Sequence, residues 1–237
     1  MHFDEFSRPV ESNTVLNPKL WAHDSLKPEV RGRLLHIAED FYNFVGLEFT
    51  VVDIVITGSN VNYNYTAKSD LDLHIIANTD STECDRELEE LFEAKRKLYN
   101  EKYDINIEGI PVELYVEQEG EPHVSAGIYS ILTDEWLATP RKDIPDWDEA
   151  KVKEMTRTWR KIIQAAIKTA DLRVLKTTFN LLKQYRHQGL HRDPMGEFST
   201  ANLTFKALRN EDVIKAMLKI MDRLHSQDLS TREFQEK

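Results

Sequence analysis

The sequence predicts an α+β protein, with strands and helices interleaved as far as residue 145 and helices alone from there to residue 237. Two observations predict this. Up to residue 145, short β-branched or alternating runs separate longer stretches with the i, i+3, i+4, i+7 recurrence of amphipathic helices, and beyond it only the helical recurrence is found. The sign of the charge also reverses near this point. Residues 1–150 hold 13 Lys and Arg against 31 Asp and Glu, a net charge of −18, whereas residues 151–192 hold 11 against 2, a net +9; residues 193–237 come to −1. The reversal follows a stretch bounded by Pro140 and Pro145, so the expected domains are residues 1–145 and 146–237.

Each element has its own signal. Residues 26–45 carry Val30, Leu34, Leu35, Ile37, Ala38, Phe41, Phe44 and Val45 on one helical face, with Ser25 or Asp24 as cap, Pro28 in the first turn and Gly46 as the stop. Residues 49–56 (FTVVDIVI) are β-branched and almost wholly apolar, a buried strand that ends in the turn Thr57-Gly58-Ser59. A polar, aromatic segment leads to residues 70–77 (DLDLHIIA), where carboxylate and leucine alternate as in a second strand. Residues 83–102 read as a charged helix, residues 103–108 and 111–117 as a hairpin about Gly109-Ile110, and residues 128–132 as a further strand. Helices follow over 146–169 and 172–187, then a breaker-rich loop, QGLHRDPMGEF. Two shorter helices begin near Thr200, capped by Ser199 or Thr200, and near Glu211.

Composition excludes several classes. At 41% hydrophobic and 30% charged, with eight Gly and eight Pro in 237 residues, the chain is an ordinary globular protein with length enough for a real core. Cys84 is the only cysteine, which rules out an internal disulfide and a cysteine zinc cluster and fits a reducing compartment. There is no apolar run of about 18 residues. The start, MHFDEFSRPVES, has neither a basic nor an apolar signal region, so no membrane role and a cytoplasmic location are expected. A total charge of −10 argues against a surface devoted wholly to nucleic acid. The basic segment 151–192 is either a wall that faces a polyanion or a solvated helix face docked on acidic surface. Walker A, nucleophile-elbow and His-Glu-x-x-His motifs are absent.

Alternation along residues 70–77 puts Asp70, Asp72 and His74 on one face of the strand and Leu71, Leu73 and Ile75 on the other. Two carboxylates so placed repel each other unless a hard cation with oxygen ligands sits between them, Mg²⁺ being the usual choice. The Gly58-Ser59 turn offers backbone N–H groups and a hydroxyl to phosphate oxygens. In the later strand Val112, Leu114 and Val116 share one face, leaving Glu113 and Tyr115 on the other, and Glu113 is a candidate third carboxylate. His74 is either a phosphate or acceptor contact or hydrogen-bonded scaffold. Tyr63 and Tyr65 either stack on a base or pack the loop. Trp159, amid Arg157, Arg160 and Lys161, reads as core with Ile162, Ile163 and Ala166 or as part of a nucleic-acid surface.

Taken in order, a strand, Gly58-Ser59, the ten-residue spacer 60–69, Asp70-Leu71-Asp72-Leu73 and Glu113 in IPVELYV resemble the signature of the DNA polymerase beta-like nucleotidyltransferases, over about residues 26–117. A glutamate stands where that family more often has aspartate as the third acid. The wording of the chain is also similar to nucleotidyltransferases encoded by bacteriophages. The resemblance implies a mixed β-sheet with flanking helices, followed by an all-helical C-terminal domain that closes over the nucleotide. It implies that Asp70, Asp72 and Glu113 are the catalytic, metal-holding triad for Mg²⁺ or Mn²⁺, and that Gly58 and Ser59 cradle the β,γ-phosphates of a nucleoside triphosphate. Lys183 and Arg186 of the helical region are the candidates for neutralising the remaining charge. The implied reaction moves a nucleoside monophosphate to an acceptor hydroxyl and releases pyrophosphate. The acceptor is left open among an RNA or tRNA end, which the basic 151–192 segment favours, a protein, a small molecule or a second nucleotide. A nucleotide-binding regulatory or antitoxin-like module with little turnover stands as the other reading.

Overall fold

A computed structural model describes residues 6–46, 49–78, 85–120, 125–142 and 145–230, the side chains of 85–89 excepted. Cys84 lies outside the described residues. The contacts divide the chain into one unit of Glu11–Ile144 and another of Met1–Val10 with Pro145–Lys237.

The first unit is a mixed sheet with helices. It contains β1 (Trp21–Ala22), β2 (Ser25–Leu26), α1 (Pro28–Val45), β3 (Thr50–Thr57), β4 (Leu71–Asn78) and α2 (Asp85–Lys102). These are followed by β5 (Asn106–Ile107), β6 (Ile110–Gln118), β7 (Ile128–Ser130) and β8 (Glu135–Ala138). The main sheet runs β5-β6-β4-β3-β7-β8, and β1 pairs with β2 apart from it. All neighbours in the main sheet are antiparallel except β4 and β6. That parallel pair requires a crossover, which α2 supplies.

One face of the sheet makes the core. Ile54, Ile56, Leu71, Leu73, Ile75 and Leu114 pack with Val30, Leu34, Ile37 and Phe41 of α1. Because strand residues alternate, this burial forces Thr57, Asp72, His74, Glu113, Tyr115 and Glu117 onto the opposite face. Gly46 ends α1 in the left-handed conformation (φ 71°), the position that favours glycine. The start of α1 differs from the sequence reading: Lys27 is the cap residue and makes no side-chain cap bond, because Ser25 is taken up in β2. The β1–β2 hairpin and β8 were not expected. An aromatic cluster explains both, with Trp21 stacked on Trp136 at 4.8 Å and edge-on to Tyr129 at 5.1 Å. The edge of β6 beyond short β5 is closed by a side chain: Asn100 donates Nδ2 to Leu114 O at 2.9 Å and accepts from Leu114 N at 3.2 Å. Only Asn106–Ile107 of the expected 103–108 strand pairs.

The second unit is helical, with α3 (Glu149–Thr169), α4 (Leu172–Arg192), α5 (Thr200–Asn210) and α6 (Val213–Leu229). Asp148, Asp171 and Ser199 cap α3, α4 and α5 by accepting backbone N–H bonds. Ile163, Ala166, Leu175, Leu182, Leu208, Val213, Ile214 and Met217 form its core. Arg160 donates from Nη2 (2.6 Å) and Nε (3.0 Å) to Glu211 Oε2, with the Glu211 side chain buried and that of Arg160 mostly so. Two expectations are corrected here. Residues 6–10, assigned to the first domain, belong to the helical unit, since Phe6 and Val10 pack with Val152, Leu203 and Trp147. Helix α4 runs through Gly189 to Arg192 rather than stopping at 187. Gly189 is not a breaker but a close-approach residue, because a Cβ there would lie 2.5 Å from Ser199 Oγ and 2.7 Å from Ala201 Cβ. Among the described residues no helix is long and apolar enough to cross a membrane.

Candidate functional site

The face of the main sheet opposite the α1 core collects the acidic residues. Strand register sets Asp72 opposite Glu113 on one side and opposite Thr57 on the other. Asp70 precedes β4, and one carboxylate oxygen each from Asp70, Asp72 and Glu113 lies within 4.8 Å of the others. All three are half-buried. Glu113 is therefore brought to the two aspartates by the parallel β4–β6 pairing, a long-range register that no local pattern encodes.

The turn after β3 is shaped to this cluster. Gly58 has φ 82° and ψ −167°, a conformation that is essentially restricted to glycine. A Cβ on Gly58 would overlap Asp72 Oδ2 and lie 3.2 Å from Asp72 Cγ, so the carboxylate occupies the space that the missing side chain leaves. Residues Ser59–Val61 then form one turn of 3-10 helix. Ser59 Oγ donates to Ser69 Oγ at 2.7 Å, which ties the two ends of the 60–69 spacer together just before Asp70. Gly58 N–H donates to Ser125 Oγ at 3.4 Å, and Ser125 in turn donates to Gly127 O.

Residues that the sequence reading passed over hold this turn in place. Asn62 Nδ2 donates to Gly58 O and Asn60 Nδ2 to Asp70 O, both at 2.7 Å. Asn17 Nδ2 donates to Asn60 Oδ1 at 2.7 Å, and Trp21 Nε1 to Asn60 O at 2.9 Å. Asn60 is fully buried, so these bonds satisfy groups that water cannot reach. The signal was the alternation of asparagines in NVNYN, residues 60–64.

Next to the carboxylates a second polar row runs across the sheet. His74 lies 2.6 Å from Glu117 Oε1 through Nδ1 and 3.0 Å from Thr57 Oγ1 through Nε2. Its ring stacks on Tyr115 at 4.8 Å. With both ring nitrogens engaged, His74 is scaffold that fixes β3, β4 and β6 beside the cluster. Burial pushes the Tyr115 hydroxyl far above its ordinary value, and the charges of Asp72 and Glu113 add to this; it stays neutral and donates to Glu113. The Arg96 guanidinium sits 5.0 Å over the Tyr115 ring and is held there by two hydrogen bonds to Glu93, which lower the Glu93 carboxyl to about 2. Replacing His74 with leucine, which keeps the volume and removes two hydrogen bonds, is expected to cost about 2 kcal/mol in a urea melt. A loss below about 0.5 kcal/mol, the size of an ordinary surface substitution, shows that the row has no structural weight.

The remaining candidates have contacts within their own units. Tyr63 is buried in the sheet core, which decides for loop packing over stacking on a base. Trp159 packs into the helical core with Ile163 and Ala166, but Ile162 is 44% exposed and does not. Lys183 and Arg186 lie on α4. Lys183 is exposed with its Nζ 5.0 Å over Phe179, while Arg186 turns inward, over Phe205 at 4.4 Å and donating from Nε to Asn202 Oδ1 at 3.1 Å.

The donor set fits a hard divalent cation. It consists of carboxylate oxygens only, which suits Mg²⁺ or Mn²⁺ and not a thiol- or imidazole-preferring metal. Oxygens that share one Mg²⁺ are at most about 4.2 Å apart. The 4.8 Å span exceeds that by about 0.6 Å at most. No protein-family model, curated protein or solved structure matches the chain.

Proposed function

We propose that the Glu11–Ile144 unit is a nucleotidyltransferase catalytic domain that uses Mg²⁺ or Mn²⁺. It moves a nucleoside monophosphate from a nucleoside triphosphate to an acceptor hydroxyl and releases pyrophosphate. One observation carries this reading: three carboxylates from two adjacent parallel strands converge within 4.8 Å, and a glycine turn leaves room for one of them. A cluster of like charges held half out of water by core packing is costly without a counter-ion. Maintaining Gly58 against Asp72 serves no evident packing purpose.

Asp70, Asp72 and Glu113 would hold the metal, which when bound neutralises triphosphate charge and stabilises the attacking and leaving oxygens of an in-line displacement. The chain's own residues define where this happens. Register fixes Asp72 against Glu113, and the Asn60 bond to Asp70 O fixes the start of β4. The hydroxyl of Tyr115, kept neutral, orients Glu113. The Gly58-Ser59 turn lies directly beside the carboxylates, where a phosphate oxygen would take over the Gly58 N–H and Ser59 Oγ donors that now bond Ser125 Oγ and Ser69 Oγ. In the transfer a bond forms between the acceptor oxygen and the α-phosphorus. The bond from that phosphorus to its bridging oxygen breaks, pyrophosphate leaves with the electron pair, and the acceptor proton goes to water.

The test uses each α-labelled nucleoside triphosphate with Mg²⁺ or Mn²⁺ and a total RNA and protein extract, run beside the Asp70→Ala/Asp72→Ala variant. Label is expected on a macromolecule or small product with the wild type, and at least about a thousandfold less with the variant. Metal-dependent nucleotide binding with no label from any nucleotide overturns the transfer reading in favour of a regulatory binding module.

A further inference from the structure

The helical unit carries a concentration of positive charge for which the described residues supply few acidic partners. From Arg157 to Arg192 there are nine Lys and Arg and one acid, Asp171. That acid is spent on capping α4, where it accepts from Arg173 N at 2.7 Å. Two of the nine turn inward, Arg160 to Glu211 and Arg186 to Asn202 and Phe205. The other seven, Arg157, Lys161, Lys168, Arg173, Lys176, Lys183 and Arg192, are all exposed.

Helical spacing arranges six of these seven in two stripes. On α3, Arg157, Lys161 and Lys168 lie opposite the buried Val152, Thr156, Ile163 and Ala166. On α4, Arg173, Lys176 and Lys183 share a side. Trp159 and Tyr185, whose rings are 5.7 Å apart, mark the seam where the two helices meet, and both stripes lie on the sides away from that seam. On the seam's solvent side Ile162, Val174 and Leu181 are exposed at 44%, 39% and 53%, and the exposed cations Lys151 and Arg192 stand in helical register with them at one end. Arg157 to Lys161 is a rise of about 6 Å and the α3 stripe spans about 16 Å, the scale of successive phosphates along one strand.

We infer that this α3–α4 hairpin binds a polynucleotide, its exposed cations taking the phosphates. The inference rests on the transfer reading in one respect, that the bound strand supplies the acceptor hydroxyl. Charge decides for a polynucleotide over an acidic protein segment. A surface whose dominant feature is exposed cations one to two helical turns apart suits a polymer with one negative charge per residue, and the apolar area here is too interrupted to seat a partner helix.

The experiment measures binding of the full chain to a fluorescent RNA with a single-stranded 3′ end, and to DNA of the same sequence, between 50 and 300 mM salt. Neutral polymer, poly-glutamate and anionic vesicles serve as controls. Arg157→Ala/Lys161→Ala/Lys168→Ala is expected to weaken binding at least tenfold and to flatten the log–log salt slope by about 2. Lys176→Ala/Lys183→Ala tests the second stripe, and unchanged melting temperatures show that these exposed substitutions leave the fold intact. Asp70→Ala/Asp72→Ala is expected to bind as the wild type does, which separates this inference from the transfer reading. Absence of binding at 50 mM salt, an unaltered slope in the triple variant, or equal affinity for poly-glutamate or vesicles overturns the polynucleotide assignment. The comparison of RNA with DNA decides which strand is taken.

Discussion

Asp72→Asn is expected to raise the melting temperature in metal-free buffer by about 2–4 °C and to abolish the stabilisation that Mg²⁺ and nucleoside triphosphate give the wild type. Asp72 sits between two other carboxylates at up to 4.8 Å. Two unit charges at that distance repel by about 3 kcal/mol at an effective dielectric of 20. Partial exposure of all three side chains reduces the net gain from removing one charge to about 1 kcal/mol. Asparagine keeps the shape, so the Gly58 turn and the β4–β6 register are retained and the change isolates the charge. The same substitution is expected to lower transfer at least about a thousandfold, since a neutral amide is a poor ligand for a hard cation. Stability and activity then move in opposite directions, the mark of a site built for a ligand rather than for the fold. An asparagine variant that melts lower in chelator, or that retains the metal-dependent shift, makes the cluster a structural feature.

How much of this was legible before the fold was known depends on the range of the interaction that sets each feature. The strand at 70–77 was visible from alternation alone, and it emerged as Leu71–Asn78. Helix α1 and its Gly46 stop were visible too, because a 3.6-residue period and a left-handed glycine are local signals. The face assignment of Asp70, Asp72 and Glu113 follows from the same local alternation. Their convergence does not, since Glu113 reaches Asp72 only through a parallel pairing across 41 residues of chain. The β1–β2 hairpin, held by Trp21 stacking on Trp136, was illegible for the same reason. Gly189 read as a breaker because propensity prices glycine by its own backbone. The contact with Ser199 and Ala201 that makes glycine necessary there is tertiary. Asn60 and Asn62 read as loop polarity, although their side chains hold backbone carbonyls on both sides of the site.

Gly58→Ala is expected to destabilise the protein by about 3 kcal/mol or more and to reduce transfer at least a hundredfold. Two separate causes add. The backbone at φ 82° and ψ −167° lies in a region that costs an L-residue about 1–3 kcal/mol. The new methyl group also overlaps Asp72 Oδ2, which must rotate away from Asp70 and Glu113 or push β3 and β4 apart. Gly46→Ala is the control: it has a positive φ of 71° but nothing within 4 Å of its Cβ, so about 1 kcal/mol and undiminished transfer are expected. A double-mutant cycle separates the causes in the damaged site. In an Asp72→Ala background the overlap is gone and only the backbone cost persists, so Gly58→Ala should then cost at least about 1 kcal/mol less than in the wild type. Equal costs in both backgrounds mean that the shape of the turn serves the chain alone. A coupling of the expected size means that glycine stands at this position because a carboxylate has to.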